Sequence, residues 1–317
     1  MQIKICNRYS NYIEMKLNRL KLPSLLLTGI FFISSCGGGG SQEQSSEDSG
    51  DEFDAAKEQV AVDVSKVFED LPPPSEVPYL LMQAGADFNL GVVNNVSADK
   101  MAEYQKSESI AALNLGVYAT DIGYLVSYDE TEMALDYMGQ CQKLAAPVGV
   151  ADAIDYGMIS RFESNMEEKD SLAYIINEVI LKAGERLGEL EEINSAGLLL
   201  AGSWIEGIYI STQIVDTYPD DLPEESRTLI LEPLVKIVID QKESLNNLMN
   251  VLNDVPGNDE ISNMIQELGK VKAIYDGELA EVESKIAENT GDYVLLPSTL
   301  DGLAAEVGRI RASIIEI

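Results

Sequence analysis

From Phe53 to the C-terminus the apolar residues return every three or four positions, and this period constrains the fold more than any other feature of the chain. Phe53, Val60, Val64, Val67 and Phe68 make one apolar face, which Leu71-Pro72-Pro73-Pro74 ends. Ser75, Glu76 and Pro78 open a short second helix to about Gly85, and Ser97 caps a long third one to about Tyr128. A fourth is expected between Asp129 to Thr131 and Pro147, and a fifth from Ala151 to about Ser164. Asp170-Ser171 opens a sixth, with Leu172, Ile175, Ile176, Val179, Ile180 and Leu187 on its buried side. Asn194-Ser195 caps a seventh that ends near Tyr218-Pro219. The eighth starts at Pro223 and holds Pro233, which should bend it; the ninth covers about 260 to 288 and the tenth opens at Ser298. No stretch alternates apolar and polar residues between Asn-Gly or Asp-Gly turns, so no meaningful sheet is expected. The period therefore predicts an all-α, multi-helix bundle of about nine to ten helices over residues 52–317.

Charge narrows the function classes. The 317 residues include 22 Lys+Arg, 54 Asp+Glu and no His, giving a formal net charge of −32 and a pI near 4.1. Such a surface does not suit nucleic acid, which needs a basic face. Without His there is no Ser-His-Asp or Cys-His relay, no His-ligated zinc site and no Glu-x-x-His di-iron bundle site. No GxGxxG, P-loop, GxSxG or CxxC element is present either, so the sequence calls for no cofactor and no metal.

The N-terminus carries an address. Lys16, Arg19 and Lys21 precede the mostly apolar run Leu22 to Ile33, which is too short to span a bilayer, and Ser34-Ser35-Cys36 follow. This is the layout of a signal peptide over residues 1–35, with Met15 as a plausible start. Ile33-Ser34-Ser35-Cys36 resembles the bacterial lipobox, which implies that Cys36 is acylated and becomes the first residue of the mature protein. Palmitate-type chains on Cys36 would anchor it stably, each buried methylene contributing about 0.8 kcal/mol. Cys6 precedes the signal, so Cys141 alone is left in the mature fold, where no internal disulfide can form. Residues 36–51, rich in Gly, Ser and acids, read as a flexible tether. Acidic stretches after a lipidated Cys also resemble surface-export signals, but four glycines intervene here, and the side of the outer membrane stays open. Removing residues 1–35 takes away five basic residues and one acid and moves the formal charge from −32 to −36.

The third and seventh helices carry the unusual residues. Gly116, Thr120, Gly123 and Ser127 form one small-residue stripe, and Ser203, Gly207 and Ser211 form another, each suited to close helix approach. Beside them run Asn114, Tyr118 and Asp121 on one helix, and Gly202, Glu206, Tyr209 and Gln213 on the other. Aligning Gly116 with Gly202 sets Tyr118 against Trp204, with Asp121 one position beyond Glu206, which suggests a duplicated core. Polar groups within such apolar helices are either buried and paired or they line a cavity. On the first alternative Asp121 and Glu206 take bonds from Tyr hydroxyls, Trp204 or a cation such as Arg161. On the second, Tyr118, Asp121, Tyr124, Trp204, Glu206 and Tyr209 border a site for a cationic or polyhydroxylated ligand.

Pro73-Pro74-Ser75-Glu76, the run from Ala112 to Tyr124, and Gly202-Ser-Trp-Ile-Glu-Gly-Ile-Tyr209 resemble the signatures of a lipoprotein family from Bacteroidetes-type bacteria. That resemblance spans most of the mature chain and implies an all-helical envelope protein, and it brings no activity, cofactor or catalytic residue with it. The expected function is a lipid-anchored, non-catalytic envelope protein, in the outer membrane, that binds a small ligand or an envelope protein. The alternatives are a carboxylate enzyme acting through Asp121 and Glu206 and a purely structural spacer.

Overall fold

A computed structural model describes residues 71, 73–94, 97–190, 192–219, 221–255, 257–288 and 295–316. The expected signal peptide and tether, Cys36, and the helix expected around Phe53 to Phe68 lie outside them. Eleven α-helices occur among the described residues, with no strand. They are α1 (Glu76–Gln83), α2 (Ala98–Tyr104), α3 (Glu108–Ser127), α4 (Thr131–Ala145), α5 (Tyr156–Glu163) and α6 (Lys169–Glu189). After them come α7 (Ile193–Asp216), α8 (Glu224–Asp254), α9 (Asp259–Asp276), α10 (Ala280–Glu288) and α11 (Asp301–Ile315).

Two expected helices are split, and the caps explain where. Ser97 does cap a helix, accepting the Lys100 N–H at 3.3 Å, but that helix ends at Tyr104. Ser107 then caps a second one through the Ile110 N–H, so the long third helix is α2 followed by α3. Gly277 likewise ends α9 before α10 begins. The fifth helix starts at Tyr156, five residues later than expected, because Asp155 accepts the Met158 N–H at 2.8 Å. The last opens as a 3-10 turn over Pro297–Leu300 and becomes α-helical at Asp301. Pro233 sits inside α8 without ending it.

α3 and α7 are the centre of the bundle. Each is buried around most of its circumference, as expected of a helix with apolar residues on every face. They pack most extensively on each other, with α1, α4 and α6 against α3 and α8, α11 and α6 against α7. α5 rests on α4 and α6, and α9 rests on α8 and α11. Both central helices are long and apolar enough to cross a membrane, but 83% and 89% of their most apolar windows are covered by the rest of the fold.

The crossing of α3 and α7 is set by two glycines used reciprocally. A Cβ on Gly116 would lie 2.0 Å from the Leu199 carbonyl oxygen, and one on Gly202 would lie 2.0 Å from the Leu113 oxygen. In each case the opposing residue stands three positions before the partner glycine, so the two helices meet as near-equivalents about a local two-fold. Thr120 crosslinks the same seam: its Oγ1 lies 2.9 Å from the Ser203 Oγ and 3.1 Å from the Ser203 carbonyl. Gly123, on the same stripe, instead faces Ser75 and Pro74 at the start of α1.

Candidate functional site

Beside the glycine crossing lies a buried polar cluster. On α3, Asn114, Tyr118 and Asp121 fall at i, i+4 and i+7 and so share a face. On α7, Glu206 and Tyr209 stand three residues apart, one turn along. Asp121 and Glu206 are both 0% exposed.

The cation that meets them is Arg311 of α11, not Arg161. Its Nε and Nη2 donate to the two Glu206 carboxylate oxygens at 2.6 and 2.7 Å, a bidentate fork. Nη2 also donates to the Val92 carbonyl at 3.2 Å, and the guanidinium lies 3.9 Å from the centre of the Tyr209 ring. Burial pulls the Arg311 pKa down, and the charge and hydrogen bonds of Glu206 more than offset this, so the guanidinium stays charged. Arg161 forms its own fork with Glu178 at the surface, at 3.1 and 3.0 Å.

Asp121 has a different set of neighbours. Its Oδ2 accepts the Asn94 backbone N–H at 3.1 Å, and its Oδ1 takes no donor from the described residues. Burial, and then the charge of Glu206, push its carboxyl well above the usual carboxylate range; Arg311 and the Asn94 amide pull the other way. Around the pair, the Tyr104 hydroxyl donates to the Ile315 carbonyl at 2.6 Å and Asn114 Nδ2 to the Ile314 carbonyl at 3.2 Å. Lys100 Nζ also reaches the Ile315 carbonyl at 3.2 Å, so side chains of α2 and α3 satisfy carbonyls that the end of α11 leaves open. The Tyr118 hydroxyl, Asn94 Nδ2 and Asn114 Oδ1 are buried and have no hydrogen-bond partner among the described residues.

The other residues singled out by the sequence go elsewhere. The Tyr118 ring packs on Tyr137, 5.3 Å between centroids. Tyr124 exchanges hydrogen bonds with the Asn89 backbone, accepting its N–H at 2.7 Å, and joins Phe88 and Tyr128 in an aromatic cluster. Burial pushes its hydroxyl pKa up to about 12. Trp204 Nε1 donates to Ser244 of α8 at 3.0 Å and touches neither acid by a hydrogen bond. The structure thus brings Asp121, Glu206 and Tyr209 into one cluster around Arg311, with Tyr118 at its edge, and separates Tyr124 and Trp204 from it. Arg311 was the residue to look for: Val307, Ile310, Arg311 and Ile314 put one basic group on the buried stripe of the last helix.

No protein-family model, curated protein or solved structure matches this chain.

Proposed function

We propose that this chain is a lipid-anchored, non-catalytic helical protein of a bacterial cell envelope, acylated at Cys36, which presents its bundle to a protein partner. The observation that carries the reading is the condition of the two acids. Asp121 and Glu206 are wholly buried and engaged by Asn94 and Arg311, so the carboxylates that an enzyme built on this sequence would use do not face a cleft. A small ligand held between α3 and α7 meets the same obstacle, because Gly116 and Gly202 leave no space between the backbones. That leaves the surface as the working part.

One surface feature suits a partner. An open groove of about 280 Å³ is lined by Arg161, Asn165, Asp170, Ser171, Tyr174 and Ile175 of α5, α6 and their connection. Tyr174 is 64% exposed and Tyr156, at the start of α5, 80% exposed. Tyr and Arg are the side chains that protein interfaces favour, since they bring large contact area with a polar end. The anchor reading is supported by Lys16 to Cys36 and by the family resemblance of the Ala112 to Tyr124 and Gly202 to Tyr209 segments.

Both parts are testable in the native host. An alkyne-tagged palmitate analogue should label the wild-type chain, while Cys36→Ala should be unlabelled and leave the membrane fraction. Equal labelling of the two would overturn the anchor. A photo-crosslinking residue at position 174 should yield a discrete adduct that the same residue at position 270, on exposed Lys270, does not; matching patterns at both positions would overturn the groove as the contact surface.

A further inference from the structure

Among the described residues the buried cluster holds two acids and one cation, and the cation is committed to Glu206. Arg311 gives two hydrogen bonds to Glu206 and one to Val92, and its face lies on Tyr209. An ionised Asp121 would be a second negative charge beside Glu206, with the Asn94 amide as its one donor among the described residues and none of them donating to its Oδ1. An isolated charge in such surroundings is costly, and the group escapes the cost by taking a proton. The groups that face Asp121 do little to relieve it. Tyr118 comes from its own helix, Glu206 from α7, Tyr137 and Cys141 from α4, and Tyr104 of α2 borders Tyr118 and Asn94. Arg311 and the Asn94 amide are the two that favour a negative charge there.

We propose that Asp121 and Glu206 form a carboxyl pair that carries one proton at neutral pH, Asp121 donating to Glu206. This proton latches the segment from Leu90 to Asn94 and the C-terminal helix α11 onto the central helices. Two geometric links make the pair a latch: Asp121 holds Asn94 by its amide, and Arg311, held by Glu206, holds Val92 by its carbonyl. Loss of the proton would set two carboxylates against one guanidinium and strain both links together. Burial and the Glu206 charge keep the Asp121 carboxyl protonated well above the range where a solvated carboxyl ionises. The sign of the stability effect follows. The folded state holds a proton that the unfolded state has released above about pH 4, so this group's contribution to stability falls as pH rises from there to its folded pKa and is constant beyond.

The test compares the full-length wild type with Asp121→Asn, which keeps the shape and the donor and cannot ionise. At about pH 5 the two should melt at the same temperature; at about pH 9 the wild type should melt lower, with faster amide exchange than the variant in Leu90 to Asn94 and α11. The infrared spectrum of the wild type at neutral pH should contain a protonated-carboxyl band that Asp121→Asn lacks. An Asp121→Asn protein that melts lower than wild type by the same margin at both pH values would overturn the proposal, as would identical carboxyl bands in the two proteins. Should the variant fail to fold, isotope-edited infrared titration of the aspartates in the wild type decides: a buried aspartate protonated at neutral pH supports the latch, and none overturns it.

Discussion

Arg311 of α11 holds together groups from two other parts of the chain: Glu206 and Tyr209 on α7, the latter beneath its guanidinium, and Val92 before α2. Replacing it by Met fills much of the same space and leaves Glu206 buried without its cation. The expected loss is about 3–5 kcal/mol, because the penalty is an uncompensated buried charge rather than a lost contact. Arg311→Lys should also destabilise, since a single ammonium cannot serve both oxygens in the fork or stack on Tyr209. Adding Glu206→Gln to Arg311→Met removes the stranded charge, so the double variant should be less destabilised than the two single losses predict. Urea unfolding midpoints of the wild type, Arg311→Met, Glu206→Gln and the double variant measure this directly, and additive losses would mean that the pair is not coupled. The polar members of the cluster were legible in the sequence because Asn114, Tyr118, Asp121, Glu206 and Tyr209 interrupt apolar helices at three-to-four spacing. Their cation was not, because it lies 105 residues beyond Glu206 and only tertiary packing brings it in. Trp204 was misjoined to the group for a simpler reason. Two residues before Glu206 is about 200° around the helix, which turns Trp204 toward α8 and Ser244.

At the level of helices, the α3–α7 crossing rests on backbone contact that any side chain would prevent. Gly116→Ala and Gly202→Ala should each force the axes apart, at a cost of about 1–3 kcal/mol or more, since the obstruction is a carbonyl rather than a movable side chain. One separation relieves both clashes, so the double variant should cost clearly less than the sum of the singles. Gly269, in α9, is the control: a Cβ there meets nothing within 4 Å, and Gly269→Ala should stabilise by about 0.5–1 kcal/mol through helix propensity. Thermal and chemical unfolding of the four variants reads all of this out, and an additive pair would argue against a shared crossing. The small-residue stripes announced close packing, and Gly116 and Ser203 do meet at the crossing, but its other half is made by Gly202, which lies outside the stripe from Ser203 to Ser211. The choice depends on the crossing angle and depth, which a linear spacing does not contain. The start at Ser97 was legible from its cap, but Asn194 and Ser195, expected to cap α7, lie inside a helix that starts at Ile193. The breaks at Ser107 and Gly277 were blurred because apolar periodicity continues on both sides.

For the molecule as a whole, 54 acids against 22 bases leave a large excess negative charge, and the described ion pairs lie mostly at the surface, where each contributes little. Self-repulsion of that charge is relieved on unfolding, so it lowers stability in dilute buffer. Salt should therefore raise the melting temperature steeply up to about 0.1–0.2 M, where the screening length falls to about 8–10 Å, and only weakly beyond. The same acids could instead be a store for divalent cations, and the two accounts separate cleanly. Screening predicts one curve of melting temperature against ionic strength for sodium and, allowing for its greater screening, a parallel one for magnesium or calcium. A built cation site predicts an extra, saturable shift at low millimolar calcium that sodium at equal ionic strength does not give. Among the described residues no group of three or more acids or cysteines is placed to hold a metal ion. The expected outcome is accordingly a dependence on ionic strength without saturation at low calcium, and a saturable calcium shift would make the acidic surface a binding surface.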